Sequence, residues 1–426
     1  MVGIVQVLVA VMVFKVQELI PALAVIKPLL LALMFGLAVQ LYNFFARPPG
    51  PGFRLWRTPF LFWTLFSLGL VATIPLSLHP GGTVEFLVMR YLAIVLLVLM
   101  ISRNLDDVFS LEKTTRSVIL SALALGCAMV VMPEVIQVPD EPTRYTVGGT
   151  YDPNDLAVLM AMSLPFCIHW FSRGGIFFKI LATCAGLLAI YAILKTGSRG
   201  GLLSLGTVML YTILFNRQIG MFFRGTLIAG ILVGGLAATQ TTTFQMLLEA
   251  AHGQDYNTSS SDGRLQIWKR GIGYAFTRPV TGVGAACFET ADGMLSGRRG
   301  GKWSTAHNSF IQVVAETGFV TFTLWILLLV STFRELKRQR ILLQEWSDDH
   351  EASTCLLLGS TVRCALLTYL VGGFFLSLGY FPMLYLAIAY AIGLGNAADS
   401  IAMDLEEEEE DWSNHSPEMA ECEMTA

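Results

Sequence analysis

Long apolar runs constrain this chain more than any other feature of its sequence. Runs of about 17–22 residues recur along almost the whole length, and each is long enough to cross a bilayer as a helix. Hydrophobic residues make up 54% of the 426 residues and charged residues only 14%, whereas roughly a quarter of the residues in a soluble domain are charged. The sequence therefore predicts an all-α, polytopic membrane protein.

The apolar runs divide the chain into a bundle, a large loop and a tail. We predict about twelve spans, at approximately 3–20, 27–45, 58–78, 83–101, 110–132, 153–171, 176–194, 199–215, 221–239, 307–333, 359–378 and 381–398. Residues 1–239 hold the first nine spans, 240–306 form the loop, 307–400 hold the last three spans, and 401–426 form an acidic tail predicted to be disordered. The first run is interpreted as an anchor because it lacks the basic start and cleavage site of a signal peptide.

Lysine and arginine fix the predicted orientation, because loops on the cytoplasmic side are enriched in both. With the N-terminus inside, the inner loops carry Arg47, Arg54, Arg57, Arg103, Lys113, Arg116, Arg173, Lys179, Arg217, Arg224, Arg334, Lys337, Arg338 and Arg340. The short outer loops hold only Lys15, Lys27, Arg144, Lys195 and Arg199. Both termini are therefore predicted to be cytoplasmic, and the 240–306 loop to lie on the outer face of the membrane.

The large loop is the largest predicted soluble piece of the chain. Its segment GRLQIWKRGIGYAF, 263–276, has the pattern of an amphipathic helix. We expect Leu265, Trp268 and Ile272 to share its apolar face, and Asp262 to cap its N-terminus. The GVG at 282–284 is interpreted as a simple turn rather than a phosphate-binding loop.

Three polar motifs open helices that run inward from the outer face. They are GTYDPNDLA at 149–157, KTGSRGG at 195–201 and STAHNSFIQ at 304–312. A helix that begins there points its free N–H groups and positive dipole end outward, so three such ends around one site favour an anion. In the second motif we expect Ser198 to cap the helix and Arg199 to grip a phosphate with its two-pronged guanidinium. The alternative is that Lys195 and Arg199 are snorkelling anchors.

The third motif carries the candidate base. His307 is expected at a helix N-terminus, where the dipole disfavours the imidazolium and leaves a neutral proton acceptor; a capping or structural histidine is the alternative. Asn308, Gln312 and Glu316 recur every four residues and form one stripe, which suits substrate contacts or hydrogen bonds between helices. Arg90 lies at a similar predicted depth to Glu316, so the two are hypothesised to form an ion pair.

Metal and nucleic-acid sites find little support in the sequence. No second histidine stands at zinc-ligand spacing from His307. Asp152 and Asp155 have the chemistry to hold a divalent cation, but Asp152 precedes a proline and Asp155 fits a helix cap. No P-loop or dinucleotide fingerprint is present. We therefore predict no metal, no cofactor and no nucleic-acid partner.

The ordered set TGSRGG, GRLQIW, GVG and AHNSFIQVVAETG resembles the bacterial O-antigen ligase and polymerase superfamily. The resemblance covers nearly the whole chain except the acidic tail. It implies a metal-independent glycosyltransferase of the inner membrane whose donor is a glycan on undecaprenyl pyrophosphate. The two key arginines of the family correspond to Arg199 and Arg264, and its histidine to His307.

The acceptor stays open at this point. A lipid hydroxyl would make the protein a ligase, a growing glycan would make it a polymerase, and a serine or threonine would make it a protein O-oligosaccharyltransferase. A transporter of an anionic glycolipid or organic anion is a candidate from a different class. Transporters tend to place polar breaks near mid-membrane in paired halves, whereas these motifs lie at one face. The sequence therefore favours an enzyme.

Overall fold

The computed structural model describes residues 2–20, 22, 28–46, 57–105, 107–137, 143–147, 151–215, 263–295 and 303–424, with the side chains of 44 and 410–424 left out. The predicted span at 221–239 and the predicted cap at Asp262 fall outside these ranges.

The described chain is helical almost throughout, and the predicted all-α polytopic fold is confirmed. In chain order the helices are α1 (Val2–Val13), α2 (Pro28–Ala46), α3 (Thr58–Ala72), α4 (Pro80–Asn104), α5 (Val108–Val131), α6 (Pro153–Arg173), α7 (Ile176–Thr196), α8 (Arg199–Phe215), α9 (Arg264–Thr277), α10 (Phe288–Leu295), α11 (Ser309–Leu343), α12 (His350–Phe375) and α13 (Pro382–Met424). Within the described ranges, eight helices are long and apolar enough to cross a membrane, and α1, α2 and α8 are shorter apolar helices. A single two-stranded hairpin joins β1 (Glu134–Ile136) to β2 (Arg144–Thr146) among these residues.

Three helices begin at one end of the bundle, hereafter the site end. Gly201, two residues into α8, is so close to α6 that a Cβ added to it would lie 2.4 Å from Cβ of Ala157, near the start of α6. A Cβ added to Gly200 would lie 3.4 Å from Cβ of Phe375, the last residue of α12. Ser309, the first residue of α11, donates its hydroxyl to the carbonyl of Leu376 at 2.8 Å. Small residues therefore draw the starts of α6, α8 and α11 together.

α11 is broken at Gly318, where φ is 73° and ψ is 178°. The break removes the helical donors that the carbonyls of Ala315 and Glu316 would otherwise receive. Val283 N and Gly284 N supply the missing hydrogen bonds, each at 2.9 Å. The amide of Phe319, also released by the break, donates to Pro279 O at 2.7 Å. The turn between α9 and α10 thus satisfies three of the backbone groups at the break.

This turn contains the GVG motif, and its interpretation as a simple turn is confirmed. Gly282 has φ 61°, and a Cβ there would lie within 2.5 Å of the backbone of Ala315, Glu316 and Thr317. Gly318 in turn packs against the backbone of Pro279 and Val280, so a glycine on each side allows the two backbones to touch. Together α9, the turn and α10 form a helical hairpin, residues 264–295, that lies along α11.

The opposite end of the bundle is tied by a buried charge network. Arg57 is 6% exposed; it bonds Glu335 at 2.9 Å and Asp399 at 2.6 Å, and its Nε donates to Asn396 at 2.5 Å. Arg338 also bonds Glu335 and Asp399, at 2.8 and 2.7 Å. The network joins the start of α3 to α11 and α13, and its two arginines are among those that the sequence assigns to the cytoplasmic side.

α9 carries the predicted apolar face, whereas the prediction about the tail is wrong. α9 begins after Gly263, and Leu265, Trp268 and Ile272 share one face as predicted. The buried side of the helix carries Ile267, Gly271 and Tyr274 instead, and Leu265 and Ile272 are exposed. The acidic run, predicted to be disordered, is helical, because α13 continues to Met424. Glutamate is a good helix former, and here it extends a helix already nucleated by packing.

We predict that Gly318→Ala destabilises the protein. Its backbone lies in a region that only glycine occupies readily, at a cost of about 1–3 kcal/mol for other residues, and a Cβ would lie 2.6 Å from Pro279 O and Val280 O. The thermal midpoint of the purified protein in detergent should fall. Gly206→Ala is the matched control, since a Cβ there meets no atom within 4 Å and alanine favours helix. Equal midpoints for the two variants would contradict this account of the break.

Candidate functional site

His307 lies just before α11 in a left-handed backbone conformation, with φ 48°. Its amide donates to Oγ of Ser377 at 2.8 Å, and its half-buried ring lies 3.2 Å from Oγ1 of Thr305 at Nε2. A histidine with positive φ is uncommon and is held by its surroundings, as residues at functional sites often are. The sequence placed His307 at the helix N-terminus, but it precedes the capping residue.

Asn308 is the cap of α11. Its Oδ1 accepts from the amides of Phe310 and Ile311, at 2.9 and 3.0 Å. Its Nδ2 donates to the carbonyl of Phe374 at 2.9 Å. The capping alternative considered for His307 therefore belongs to the next residue, which leaves the imidazole without a capping role.

The polar stripe of α11 contacts the last turn of α12 and the connection between α12 and α13. Asn308 bonds Phe374 in that last turn, and Oε1 of Gln312 accepts from Gly379 N in the connection at 3.0 Å. Glu316 accepts from the hydroxyl of Tyr380 at 2.7 Å. The predicted alignment of the three side chains is confirmed, and all three hold protein to protein, as in the hydrogen-bonding alternative.

The hypothesised ion pair between Arg90 and Glu316 is wrong. Arg90 is exposed, and no bond joins it to Glu316, both residues being described. Glu316 is 2% exposed and accepts from Ala286 N at 2.9 Å and Phe288 N at 3.2 Å. Counting helical rise gives a residue's depth but not its direction around the helix axis, so equal depth did not imply contact.

The buried carboxylate thus meets a helix end and a phenol rather than a cation. Phe288 is the first residue of α10, where free amides favour an anion. Burial raises the pKa of Tyr380 well above its ordinary value, and the charge of Glu316 adds to the effect. Tyr380 therefore stays protonated and remains a donor to Glu316.

Arg264 opens α9, one turn before Trp268. The indole nitrogen of Trp268 donates to the carbonyl of Ala306 at 3.1 Å, and its ring meets that of Phe374 edge to face, with centroids 5.7 Å apart. Ala306 immediately precedes His307. The structure therefore brings the start of α9, with Arg264, to the segment that carries the histidine.

A buried ion pair fixes the same segment from the other side. Asp292 on α10 has no exposed surface; it accepts from Nε of Arg270 at 2.6 Å and from the amide of Ser304 at 3.2 Å. Burial raises the pKa of the neighbouring Tyr274, and Asp292 adds to the shift. Neither Arg270 nor Asp292 was predicted from the sequence, because nothing in the local sequence links α9, α10 and residue 304.

Arg199 is the first residue of α8, and Ser198 caps the helix as predicted, accepting from Gly201 N at 3.1 Å. Ser198 is 1% exposed, so its hydroxyl is committed to the cap. Arg199 is half-buried and stands beside Gly200, which packs on Phe375. Ser377, two residues beyond, receives the amide of His307. Arg199 and His307 therefore flank the same short segment.

α6 supplies the third helix start. Asp152 caps it, accepting from Asn154 N at 2.8 Å. Arg144 of β2 ties this start to the end of α7, donating to Oδ1 of Asn154 at 2.7 Å and to the carbonyl of Thr196 at 3.0 Å. Lys195 lies over the ring of Tyr145, with its Nζ 5.1 Å from the ring centroid. Arg144 was counted only as an outer-loop cation, and its latching role follows from tertiary contacts.

The other predicted features are placed as follows. Among the described residues, no three His, Cys, Asp or Glu side chains lie close enough together to hold a metal ion. Asp152 is used as a cap. Arg90 lies in α4 away from the stripe of α11, where it acts electrostatically on Lys15, whose pKa is lowered chiefly by burial.

Comparisons with known proteins agree with this arrangement of motifs. Residues 184–326 match a family model described as O-antigen ligase, and the match includes Arg199, Arg264 and His307. The chain is 27% identical over 327 residues to the exopolysaccharide production protein ExoQ of Rhizobium meliloti, covering 72% of this chain and 69% of that protein. The resemblance to the O-antigen ligase superfamily is thereby confirmed, and it supports a membrane glycan-processing enzyme.

We expect Glu316→Gln to lower the stability of the protein, whereas Arg90→Gln leaves it unchanged. An amide retains one acceptor oxygen but points N–H groups at donors, and a buried donor left without an acceptor costs about 1–3 kcal/mol. The measurement is the thermal midpoint of each purified variant. Tyr380→Phe combined with Glu316→Gln should lose less than the sum of the single losses, because the two side chains share a bond. Equal effects of the Arg90 and Glu316 changes would restore the ion-pair hypothesis.

Proposed function

We propose that this protein is a glycosyltransferase that moves a glycan from an undecaprenyl-pyrophosphate carrier to a hydroxyl acceptor, in the manner of an O-antigen ligase. The observation that carries the proposal is the meeting of three helix N-termini at one end of the bundle. Arg199 stands on one of them, His307 adjoins another, and Arg264 is brought alongside by α9. The positive dipole ends of helices and guanidinium groups suit a pyrophosphate, and an imidazole suits a hydroxyl proton.

Each residue has a defined part in the proposed reaction. The imidazole of His307 accepts the proton of the acceptor hydroxyl, and the oxygen attacks the anomeric carbon of the donor sugar. The bond from that carbon to the pyrophosphate oxygen breaks, and Arg199, Arg264 and the helix ends neutralise the charge of the departing pyrophosphate. A single displacement inverts the anomeric configuration. We propose that the reaction needs no metal, which transfer in the presence of EDTA would test.

In this scheme four side chains act by positioning other groups: Asn308, Gln312, Glu316 and Ser198. The first three hold the connection between α12 and α13, whose Ser377 fixes the backbone of His307, and Ser198 orders the helix that presents Arg199. Direct contacts of these side chains with donor or acceptor, and of Arg90 with the donor, are expectations that substrate-bound structures would test. Their contribution is to hold His307 in its left-handed conformation, through the bond from its amide to Ser377.

We place the site end on the periplasmic face of the bacterial inner membrane, with both termini in the cytoplasm. The opposite end gathers Arg57 and Arg338 with other lysines and arginines, as loops on the cytoplasmic side do. In this orientation the protein would use its lipid-linked glycan donor on the periplasmic face of the membrane. The acidic end of α13 would lie in the cytoplasm.

The acceptor distinguishes members of one superfamily, and transport is the alternative from another class. Within the superfamily, a growing glycan would make the protein a polymerase, as the similarity to an exopolysaccharide production protein suggests, and a protein hydroxyl would make it an O-oligosaccharyltransferase. Purified protein should transfer glycan from a lipid-pyrophosphate donor to one of several acceptors tried in parallel. Movement of intact donor across vesicles without transfer would favour the transporter.

Arg199→Lys should weaken donor use although the charge is retained. The ammonium loses the planar fork that matches phosphate, and a hydrogen bond to a charged group contributes about 1.5–3 kcal/mol. We therefore expect kcat/KM for the donor to fall by about tenfold or more. Lys195→Ala is the control, because its charge lies over the rings of Tyr145 and Tyr191. Unchanged donor use in Arg199→Lys and Arg199→Ala would remove the clamp from the proposal.

His307→Asn should abolish transfer while donor binding persists. Asparagine tolerates positive φ, so the backbone beside Ser377 is preserved and only the imidazole is lost. Loss of a general base costs on the order of 10²–10⁴ in rate. The measurement is single-turnover transfer by folded protein, with Thr305→Ala as a control for loss of a neighbour of the ring. Near-normal rates in His307→Asn would show that the histidine is structural.

A further inference from the structure

The hairpin of α9 and α10 descends along α11 instead of standing clear of the bundle. Near its start, Trp268 bonds Ala306, just before α11. Midway, a Cβ on Gly271 would lie 2.6 Å from Cγ2 of Ile311. Near its tip, the rings of Phe276 and Phe319 meet with centroids 5.4 Å apart. The successive partners lie farther and farther along α11, so the hairpin and the helix run side by side.

The apolar part of α11 gives the depth of the tip. Residues 317–333 carry no charge, and Glu316 and Arg334 bracket them. At 1.5 Å per residue the two charges are roughly 27 Å apart along the helix, close to the ~30 Å thickness of a bilayer's hydrocarbon core. Phe319, the first residue after the break at Gly318, is three residues beyond Glu316 and lies just inside the apolar segment. The tip that contacts Phe319 therefore reaches the hydrocarbon boundary at the site end.

The tip exposes apolar side chains at that depth. Phe276 is 70% exposed and Val280 65%, and both continue the exposed apolar surface of Val320 on α11 and Leu68 on α3. Leu265, Ile272 and Phe276 follow one another at spacings of seven and four residues along α9, away from its buried face. At the tip itself, the guanidinium of Arg278 donates to the carbonyl of Leu76 at 2.9 Å, which gives the charge a polar partner at the boundary.

We propose that the tip of the hairpin is inserted in the membrane leaflet at the site end, and that lipid acyl chains cover the exposed side chains of Phe276 and Val280. The occupant is lipid because these side chains adjoin the faces of spanning helices and lie at their depth. An amphipathic helix whose polar end remains above the boundary holds Arg264 near the headgroup level. This last consequence rests on the proposed function, since the pyrophosphate of a polyprenyl carrier lies at that level.

Site-specific photocross-linking tests the insertion without any assay of transfer. p-Benzoylphenylalanine is incorporated in place of Phe276, which it resembles in shape, and in a second variant in place of Val280. The full-length protein is reconstituted in vesicles of phosphatidylethanolamine and phosphatidylglycerol, irradiated, and analysed by mass spectrometry for covalent phospholipid. A variant with the same cross-linker in place of Leu68, on the spanning helix α3, gives the reference yield for a lipid-facing position. Met294 is the matched control, because it is exposed and apolar but lies at the far end of the hairpin.

We expect phospholipid adducts at 276 and 280 in yields comparable with position 68, and their loss at position 294. Adducts at 68 without adducts at 276 and 280 would overturn the insertion, and so would equal yields at 276 and 294. The readout is independent of catalysis. A failure of the insertion with normal glycan transfer leaves the proposed function intact, and lipid adducts in a protein that transfers no glycan would count against the function alone.

Discussion

The interruption of α11 at Gly318 is the constraint on which the site end depends. A continuous helix would satisfy its own backbone and offer only side chains to its neighbours. The break instead releases the carbonyls of Ala315 and Glu316 and the amide of Phe319, and burial obliges each to find a partner. The turn of the hairpin supplies all three partners, because Gly282 and Gly318 let the two backbones touch. A helix and a loop segment distant in sequence are thereby joined by main-chain hydrogen bonds.

The side chain of Glu316 extends this junction to a third segment. Its carboxylate caps α10 through Phe288 and receives the hydroxyl of Tyr380 from the connection between α12 and α13. One residue thus sets the hairpin against the connection that bonds the backbone of His307 through Ser377. A buried carboxylate without hydrogen-bond donors would destabilise the fold by more than its packing stabilises it. The carboxylate of Glu316 and its three donors are therefore mutually required. The position of the imidazole is consequently determined by contacts more than a helical turn away from it.

The two ends of the bundle use charge in different ways. At the opposite end, Arg57 and Arg338 form ion pairs with Glu335 and Asp399, and these pairs fix the packing of three helices. At the site end, the negative charge of Glu316 is met by amides and a phenol, and Asp292 holds Arg270. Arg199 and Arg264 occupy helix starts beside the segment that carries His307. This division is consistent with a site that binds an anion, because the positive ends of helices meet at the site end.

The sequence by itself determined the fold class, most of the helices and the residue types at the site. Apolar length sets where spanning helices lie, and the cap at Ser198 follows from local backbone chemistry, which is why those elements were predicted. The four-residue spacing of Asn308, Gln312 and Glu316 fixed their common face for the same reason. The cap of α6 is Asp152 and not the predicted Asp155. Only the tertiary structure decided what that face contacts. It assigned the cap of α11 to Asn308 rather than His307, denied Arg90 to Glu316, and laid the hairpin along α11 instead of leaving it as a separate loop. Each of these outcomes depends on direction around a helix axis and on backbone groups released at a glycine, and neither quantity is encoded in the local pattern from which a sequence is read.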